Sequence, residues 1–450
     1  MTEEYIKTVA VHMDNLNTHP HCSHGPTLLF SRGSDNKKFY SCSAHRDRKK
    51  CSFFVWENQI ESIGQKFMEQ YERDLFVTKM MRYKLQSRYN HIKNLTPEER
   101  CFCQKCGELF SKTQQDLHSD HCEMLVENIN DLKLSHPSQL FRPLQESKSE
   151  SQYFFTENTI EMLIKMFRSV GTTNIICIGA PTIHERILCD VPEMNSVLLD
   201  IDHRYLQFYD TNHFRWFNMY NCHVLEECDT EFVLEDILTQ GDSTAVFIDP
   251  PFGGRLEPLA YTLDKFDQIR KKNNKSILSK FLVLPYFMER FVVNCLPGMS
   301  MIDYKIDYIN HKKFNSSGRN NGSPIRIFTN VDQSKISLPV EENYRFCDEC
   351  NRWVCSENVH CYKCNSCTSK NGRKYIHCNL CKRCVKRTWK HCKECNKCCL
   401  IEHACKRFPI KVMCLCLQMD NVIYDDYFYK TDTLLDTEFI ISLLKNLIKP

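Results

Sequence analysis

The sequence predicts an α/β protein: a doubly wound, largely parallel sheet over residues 145–340, flanked by small modules held together by metal. Three observations lead there. Between Ser147 and Val340, short apolar runs alternate with helix-length polar or amphipathic stretches, the pattern of βαβ units. The 28 cysteines thin out across that region and crowd toward its flanks, interleaved with histidines. One apolar run, Thr244–Ile248, stops at Asp249-Pro250-Pro251-Phe252 followed by two glycines. Prolines cannot donate to a sheet ladder, so that strand ends there. In an open α/β sheet the ligand crevice lies at the carboxyl ends of the strands, which places Asp249 and Phe252 at a site.

At 450 residues the chain has room for about three domains. Its net charge of +3 gives no global basic signature, so any nucleic-acid footprint must be local. No apolar run is long enough for a transmembrane helix, and the first residues lack the pattern of a signal peptide. A soluble, intracellular protein with no membrane partner is expected. Sixteen cysteines fall between Cys347 and Cys416, mostly at C-x2-C spacing. In a reducing compartment that spacing reads as zinc ligation, because thiolates two residues apart converge on one tetrahedral ion.

Residues 1–20 carry no clear pattern and are expected to be loose. A finger over residues 21–58 offers Cys22, His24, Cys42 and Cys51 as one closed ligand set. C-x-H-G, FYxC and C-x-FFxW, with Phe39, Tyr40, Phe53, Phe54 and Trp56, resemble a GRF-type zinc finger, although Asn36-Lys37-Lys38 replaces the namesake residues. That resemblance implies contact with single-stranded nucleic acid, held by stacking and by Arg46, Arg48, Lys49 and Lys50. The competing reading is a purely structural finger with the aromatics as its minicore. Residues 59–100 read as a connecting helix, with Ile60, Ile63, Phe67, Tyr71 and Leu75 at helical spacing. Residues 101–125 offer a second set, Cys103, Cys106, His118 and His121, of C2H2 type, with Cys122 as an alternative fourth ligand. It either binds RNA or braces its neighbours, and bracing is the favoured reading.

Within residues 145–340 a helix opens at Thr156. Strands are predicted at Asn174–Ile178, Ser196–Leu199, Phe214–Met219, Thr244–Ile248 and Phe281–Pro285. Alternation over Met301–Tyr308 and Ile325–Asn330 predicts an antiparallel pair that closes the sheet. The first strand ends in Gly179-Ala180-Pro181 and the second in Asp200-Ile201-Asp202. Glycine after strand one, acid after strand two and D-P-P-F after strand four resemble the Rossmann-like class I methyltransferase fold. The Ser151-Gln152-Tyr153 segment resembles the upstream motif of adenine N6-methyltransferases. These resemblances imply S-adenosylmethionine held by Ser151, Gln152, Tyr153, Ile178, Gly179, Ala180, Pro181, Asp200, Asn218, Met219 and Asp249. Either Asp200 or Asp202 suits the ribose; Asp200 sits nearer the strand end. Asp249, Pro250, Pro251 and Phe252 are the expected catalytic residues, accepting hydrogen bonds from an exocyclic amine and stacking on its base.

Residues 341–407 form a Cys/His-rich module in which HC-x2-C-x2-C occurs three times. Its candidate ligands are Cys347, Cys350, His360, Cys361, Cys364, Cys367, His377, Cys378, Cys381, Cys384, His391, Cys392, Cys395, Cys398, His403 and Cys405. These divide evenly into four Cys3His sites, making about six zinc ions in the chain, without revealing which histidine joins which cysteines. The spacing is not that of a RING domain, and the membrane spans of palmitoyltransferases are missing.

The combination over roughly residues 20–406 resembles the CCHC-zinc-finger-containing adenine N6-methyltransferases of large-subunit ribosomal RNA. It implies a structured rRNA partner and a nuclear, nucleolar and cytoplasmic location. Residues 408–450 depart from that family: its terminal C-x2-C-x4-H-x4-C knuckle is replaced by Cys414-x-Cys416 and an acidic-apolar segment. Three rivals stand beside this reading: a DNA adenine methyltransferase, a protein glutamine methyltransferase (for which N-P-P-Y is typical), and a silent RNA-binding scaffold.

Overall fold

The computed structural model describes residues 9–33, 35–45, 47–143, 152–310, 323–369, 371–401 and 403, without the side chains of 61–68. The chain divides into two compact units, Met1–Ser356 and Glu357–Pro450.

The first unit is built on an eight-stranded sheet. Its strands are β1 (Asn174–Ile178), β2 (Asn195–Asp200), β3 (Phe214–Asn218), β4 (His223–Val224), β5 (Thr244–Ile248), β6 (Ser279–Pro285), β7 (Ser300–Ile302) and β8 (Ile325–Thr329). Their spatial order is 4-3-2-1-5-6-8-7. β3, β2, β1, β5 and β6 run parallel, while β8 pairs antiparallel with both β6 and β7. The chain reverses direction of growth at β1, whose two neighbours are β2 and β5, and this makes the carboxyl ends of β1 and β5 the walls of a crevice. The predicted strands are all present, with the alternation after Met301 yielding a ladder of only three residues.

Side-chain alternation splits the core into two layers. Ile175, Cys177, Leu198, Ala245 and Phe247 face α2 (Glu157–Ser169) and α3 (Pro181–Asp190), while Ile176, Ile178, Leu199, Val246 and Ile248 face α4 (Thr230–Thr239) and α5 (Leu256–Lys272). Each large apolar side chain buried this way contributes about 1.5–3 kcal/mol. Because both faces are covered, these strands read as continuous apolar runs, which is why the sequence shows them so clearly.

The fingers are packed onto this sheet. α1 (Ile60–Lys93) is a 34-residue helix, roughly 50 Å long at 1.5 Å per residue. It is anchored near β3 and β4 by buried Arg82, which pairs with Glu226 and donates to the carbonyls of Tyr209 (3.1 Å) and Phe214 (3.0 Å). Tyr71 shares a 2.7 Å hydrogen bond with His223. The chain from Val9 is part of the finger, unlike the loose start expected: Val9–His12 pairs antiparallel with Leu28–Arg32, and Leu16 is buried. An added edge strand leaves little trace in sequence, since only four residues pair.

The Cys/His-rich segment is also divided differently from the expected 341–407. Tyr344–Cys347 and Arg352–Cys355 form a hairpin inside the first unit, with Trp353 and Cys355 in the main core and Cys355 N donating to Asp303 at 3.1 Å. Burial of Trp353 ties this hairpin to the sheet and leaves the second unit to begin at Glu357. Its described residues form three hairpins: His360–Cys361 with Ser366–Cys367, Tyr375–Cys378 with Arg383–Lys386, and Trp389–Cys392 with Lys397–Leu400.

Candidate active site and metal centres

The in-register parallel pairing of β1 and β5 aligns Ile178 with Ile248, so the next residues, Gly179 and Asp249, stand side by side. Asp249 N donates to Ile178 O at 3.0 Å, and Gly179 N donates to Leu199 O at 3.1 Å. Gly179 has φ +66°, and a Cβ there would lie 2.8 Å from the Asp249 carbonyl oxygen and 3.3 Å from Met219 Cε. Only glycine fits, and it leaves a bare backbone wall of the kind a cofactor approaches closely. Buried Ala180 and Pro181 open α3 beside it.

Asp249 is half-buried as a residue, and its carboxyl is surrounded by protein. Burial pushes its pKa well above the usual carboxylate range, against the opposing effect of a 3.0 Å hydrogen bond donated by Tyr308 to Oδ1. Pro250 and Pro251 stiffen the following turn, closed by Gly254 N donating to Pro251 O at 2.7 Å. That turn uses the Pro251 carbonyl and not that of Pro250. Phe252 lies nearly parallel to Tyr153 (17°, ring centres 6.4 Å apart), with Tyr308 inclined to both. Asp249, bonded to the Tyr308 hydroxyl, thus lies next to a cluster of three aromatic rings, Tyr153, Phe252 and Tyr308. A carboxyl next to aromatic rings suits a flat heteroaromatic amine.

The acids after β2 are distinguishable here. Asp202 is paired with Arg204 (2.6 Å) and accepts from Gln152 Nε2 (2.8 Å), and the arginine holds its pKa down despite burial. Among the described residues no cation is bonded to Asp200, at the strand end; burial, with Asp202 nearby, lifts its pKa to about 7. Asp200 accepts from Asp202 N at 2.9 Å, while Asp202 anchors Gln152. Asn218, expected in the cofactor site, is bonded through its side chain to the first finger. Its two amide hydrogens are committed to His24 O (3.0 Å) and Ser43 Oγ (2.7 Å) of the first finger. Met219 does reach the crevice wall beside Gly179. Ser151 lies outside the described residues.

The metal groups are equally specific. A zinc tetrahedron with Zn–S near 2.3 Å and Zn–N near 2.0 Å has edges of roughly 3.5–3.8 Å. Cys22, His24, Cys42 and Cys51 bring one ligand atom each into mutual reach, as do Cys103, Cys106, His118 and His121. Representative edges are 3.6 Å (Cys42 to His24 Nδ1) and 3.8 Å (Cys103 to His121 Nδ1), so the donor sets fit zinc. His121, not Cys122, completes the second group. In the second unit the groups are Cys361, Cys364, His377, Cys384 and Cys378, Cys381, His391, Cys398. Each takes its first two cysteines from one hairpin and its histidine and last cysteine from the next. The period of two explains this interlocking. His377 and Cys384 are cross-strand partners on one side of their hairpin, while neighbouring Cys378 points to the other. His360 faces Cys367 and His391 faces Cys398 in the same way. Cys395 Sγ lies 3.4 Å from His403 Nε2, with Cys392 at the start of the same knuckle. Cys347 and Cys350 flank the turn of the first-unit hairpin, and Cys405 lies outside the described residues.

Comparisons with known proteins show the family. Residues 146–332 match the family model described as probable N6-adenine methyltransferase. The human rRNA N(6)-adenosine-methyltransferase ZCCHC4 is 38% identical over 377 residues, which covers 79% of this chain and 72% of that protein. The chain belongs to the ZCCHC4 family. The mouse ZCCHC4 protein is 41% identical over 363 residues (76% and 70%), and that of Xenopus laevis 38% over 361 (77% and 73%). The ZCCHC4-family site also includes residues that sequence reasoning missed. Tyr308 shares its parity with buried Ile302, Tyr304 and Ile306, a legible core signal, but nothing in the sequence aims its hydroxyl at Asp249.

Proposed function

We propose that the chain is an S-adenosylmethionine-dependent rRNA adenine N6-methyltransferase, acting on structured large-subunit rRNA. The carrying observation is Asp249 beside Gly179 and bonded to Tyr308, in a family whose members are named for that reaction. The cradle fits the cofactor: glycine leaves room along the Asp249 backbone, Asp200 offers an acceptor for ribose hydroxyls, and Gln152 and Tyr153 form the strap expected at the methionine end. Bound there, S-adenosylmethionine supplies an electrophilic methyl group.

The chain's own residues do the rest. A target adenine splayed from its RNA stacks on Phe252. The Asp249 carboxylate and the Pro250 carbonyl accept hydrogen bonds from N6, which turns its lone pair toward the crevice. Transfer is a direct displacement in which alignment supplies most of the gain. The bond from N6 to the methyl carbon would form as the sulfur–methyl bond breaks, the cofactor would leave as the neutral thioether, and the N6 proton would pass to water, with no covalent protein intermediate. The zinc ions are structural, each held by a group of four protein ligands among the described residues. We assign the reaction to the nucleolus, with some protein in the cytoplasm.

Incubating the protein and S-adenosylmethionine with large-subunit rRNA fragments, duplex DNA and glutamine-containing peptides tests this. N6-methyladenosine in RNA alone is expected. Methylated DNA or glutamine with unmodified RNA would replace the reading, and no cofactor binding by calorimetry would favour a scaffold.

A further inference from the structure

We infer that Tyr308 is a positioning residue for the methyl-transfer site, fixing which oxygen of Asp249 receives the substrate amine and holding that carboxyl ready to accept. The inference rests on the reading of Asp249 as the N6 acceptor. Its basis is geometric. Tyr308 is fully buried, yet its hydroxyl reaches Asp249 Oδ1 at 3.0 Å. Each carboxylate oxygen has two acceptor sites; the Tyr308 hydroxyl takes one on Oδ1, which leaves both on Oδ2 and makes Oδ2 the better acceptor for the amine. The phenol ring is held by stacking on Phe155, with ring centres 5.0 Å apart and planes inclined by 26°.

Its backbone is held as firmly, and by the segment that forms the cofactor strap. Tyr308 bridges Phe155, Ile309 N donates to Phe154 O (2.8 Å), and Thr156 N donates to Asp307 O (3.1 Å). Asn310 completes the zip, donating to Gln152 O (2.8 Å) and accepting from Phe154 N (2.9 Å). Gln152 is in turn bonded to Asp202 and Arg204. A continuous set of hydrogen bonds therefore runs from the acids after β2, through the strap, to Tyr308 and Asp249. Ordering the strap around a cofactor orders the acceptor of the other substrate.

The electrostatics go the same way. Burial favours the protonated acid, which cannot accept through both oxygens, and the Tyr308 hydrogen bond opposes it. The titratable groups facing Asp249 are Tyr308 itself and, behind it, Tyr153. No lysine, arginine or histidine contributes to its ionisation among the described residues.

The test compares wild type, Tyr308→Phe and a protein carrying 3-fluorotyrosine at 308, with rRNA methylation followed across pH. Tyr308→Phe keeps the ring and its stacking. It is expected to retain zinc, melting temperature and S-adenosylmethionine affinity, to lose about ten- to a hundredfold in kcat, and to move the acid limb of kcat/KM to higher pH. The fluorinated phenol, a stronger donor, is expected to move that limb to lower pH. Wild-type kcat and an unshifted limb in both variants would overturn the positioning role. A wild-type protein inactive on RNA would instead refute the underlying reading. If Tyr308→Phe melts early, the fluorinated protein still decides the question, since it alters only the donor strength.

Discussion

Asn218, at the end of β3, donates a 3.0 Å hydrogen bond to the carbonyl oxygen of His24, a member of the first zinc group. The sheet that forms the active-site crevice and the finger that precedes it are thus joined at a ligand's own backbone. Asn221 repeats the contact, donating to His24 O (2.9 Å) and Pro26 O (2.8 Å), and Gly25 lies so close to His223 that a Cβ would meet the ring at 2.3 Å. Replacing both asparagines with alanine leaves buried carbonyls unpaired. A loss of roughly 1–3 kcal/mol per site is expected, read as a lower melting temperature with unchanged zinc content.

Gly179→Ala places a methyl group 2.8 Å from the Asp249 carbonyl oxygen in a left-handed backbone. The conformation alone costs about 1–2 kcal/mol, and relieving the clash moves Asp249. Calorimetry should show S-adenosylmethionine binding weakened by about tenfold or more. Undiminished affinity would mean that the cofactor does not lie along this wall.

Asp200 gives the cofactor site a pH dependence with a definite sign. Its pKa is raised from the ordinary value to about 7, so the folded protein favours the protonated acid. Without cofactor, that contribution to stability is fully present below the ordinary carboxylate range and is lost as pH rises through about 7. The ionised form accepts hydrogen bonds from ribose hydroxyls, so cofactor affinity should rise between about pH 6 and pH 8. Asp200→Asn should flatten both trends, measured by thermal melts and by titration calorimetry across that range.

Interlocking of the second unit's hairpins predicts unequal zinc losses. Cys361 and Cys364 serve one group, whereas Cys378 and Cys384 serve two. Cys361→Ser with Cys364→Ser should release one zinc ion per chain, and Cys378→Ser with Cys384→Ser should release two, read by elemental analysis of the purified proteins. Equal losses would contradict the alternation of ligands across each hairpin.

The parts legible in sequence were those governed by local pattern. β1 and β5 appear at their predicted residues because both faces of those strands are buried and glycine or proline bounds them. The first two zinc groups follow from spacing. What escaped depends on contacts far apart in the chain: Tyr308 meets Asp249 across 59 residues, and Asn218 meets His24 across 194. Nothing in the local pattern at the end of β3 shows that the first finger takes up the Asn218 amide. Grouping of the repeated ligands also needed the hairpin register, since sequence order alone would keep each HC-x2-C-x2-C unit to itself.

The central claim is that Asp249 accepts the adenine amine during methyl transfer. It is tested most directly by single-turnover methylation of large-subunit rRNA with wild-type protein and Asp249→Ala, quantifying N6-methyladenosine by mass spectrometry. Because the lost contacts act on the reacting nitrogen, the variant is expected to retain zinc and fold while its rate falls by at least about a hundredfold. Methylation by folded Asp249→Ala at the wild-type rate would contradict the account.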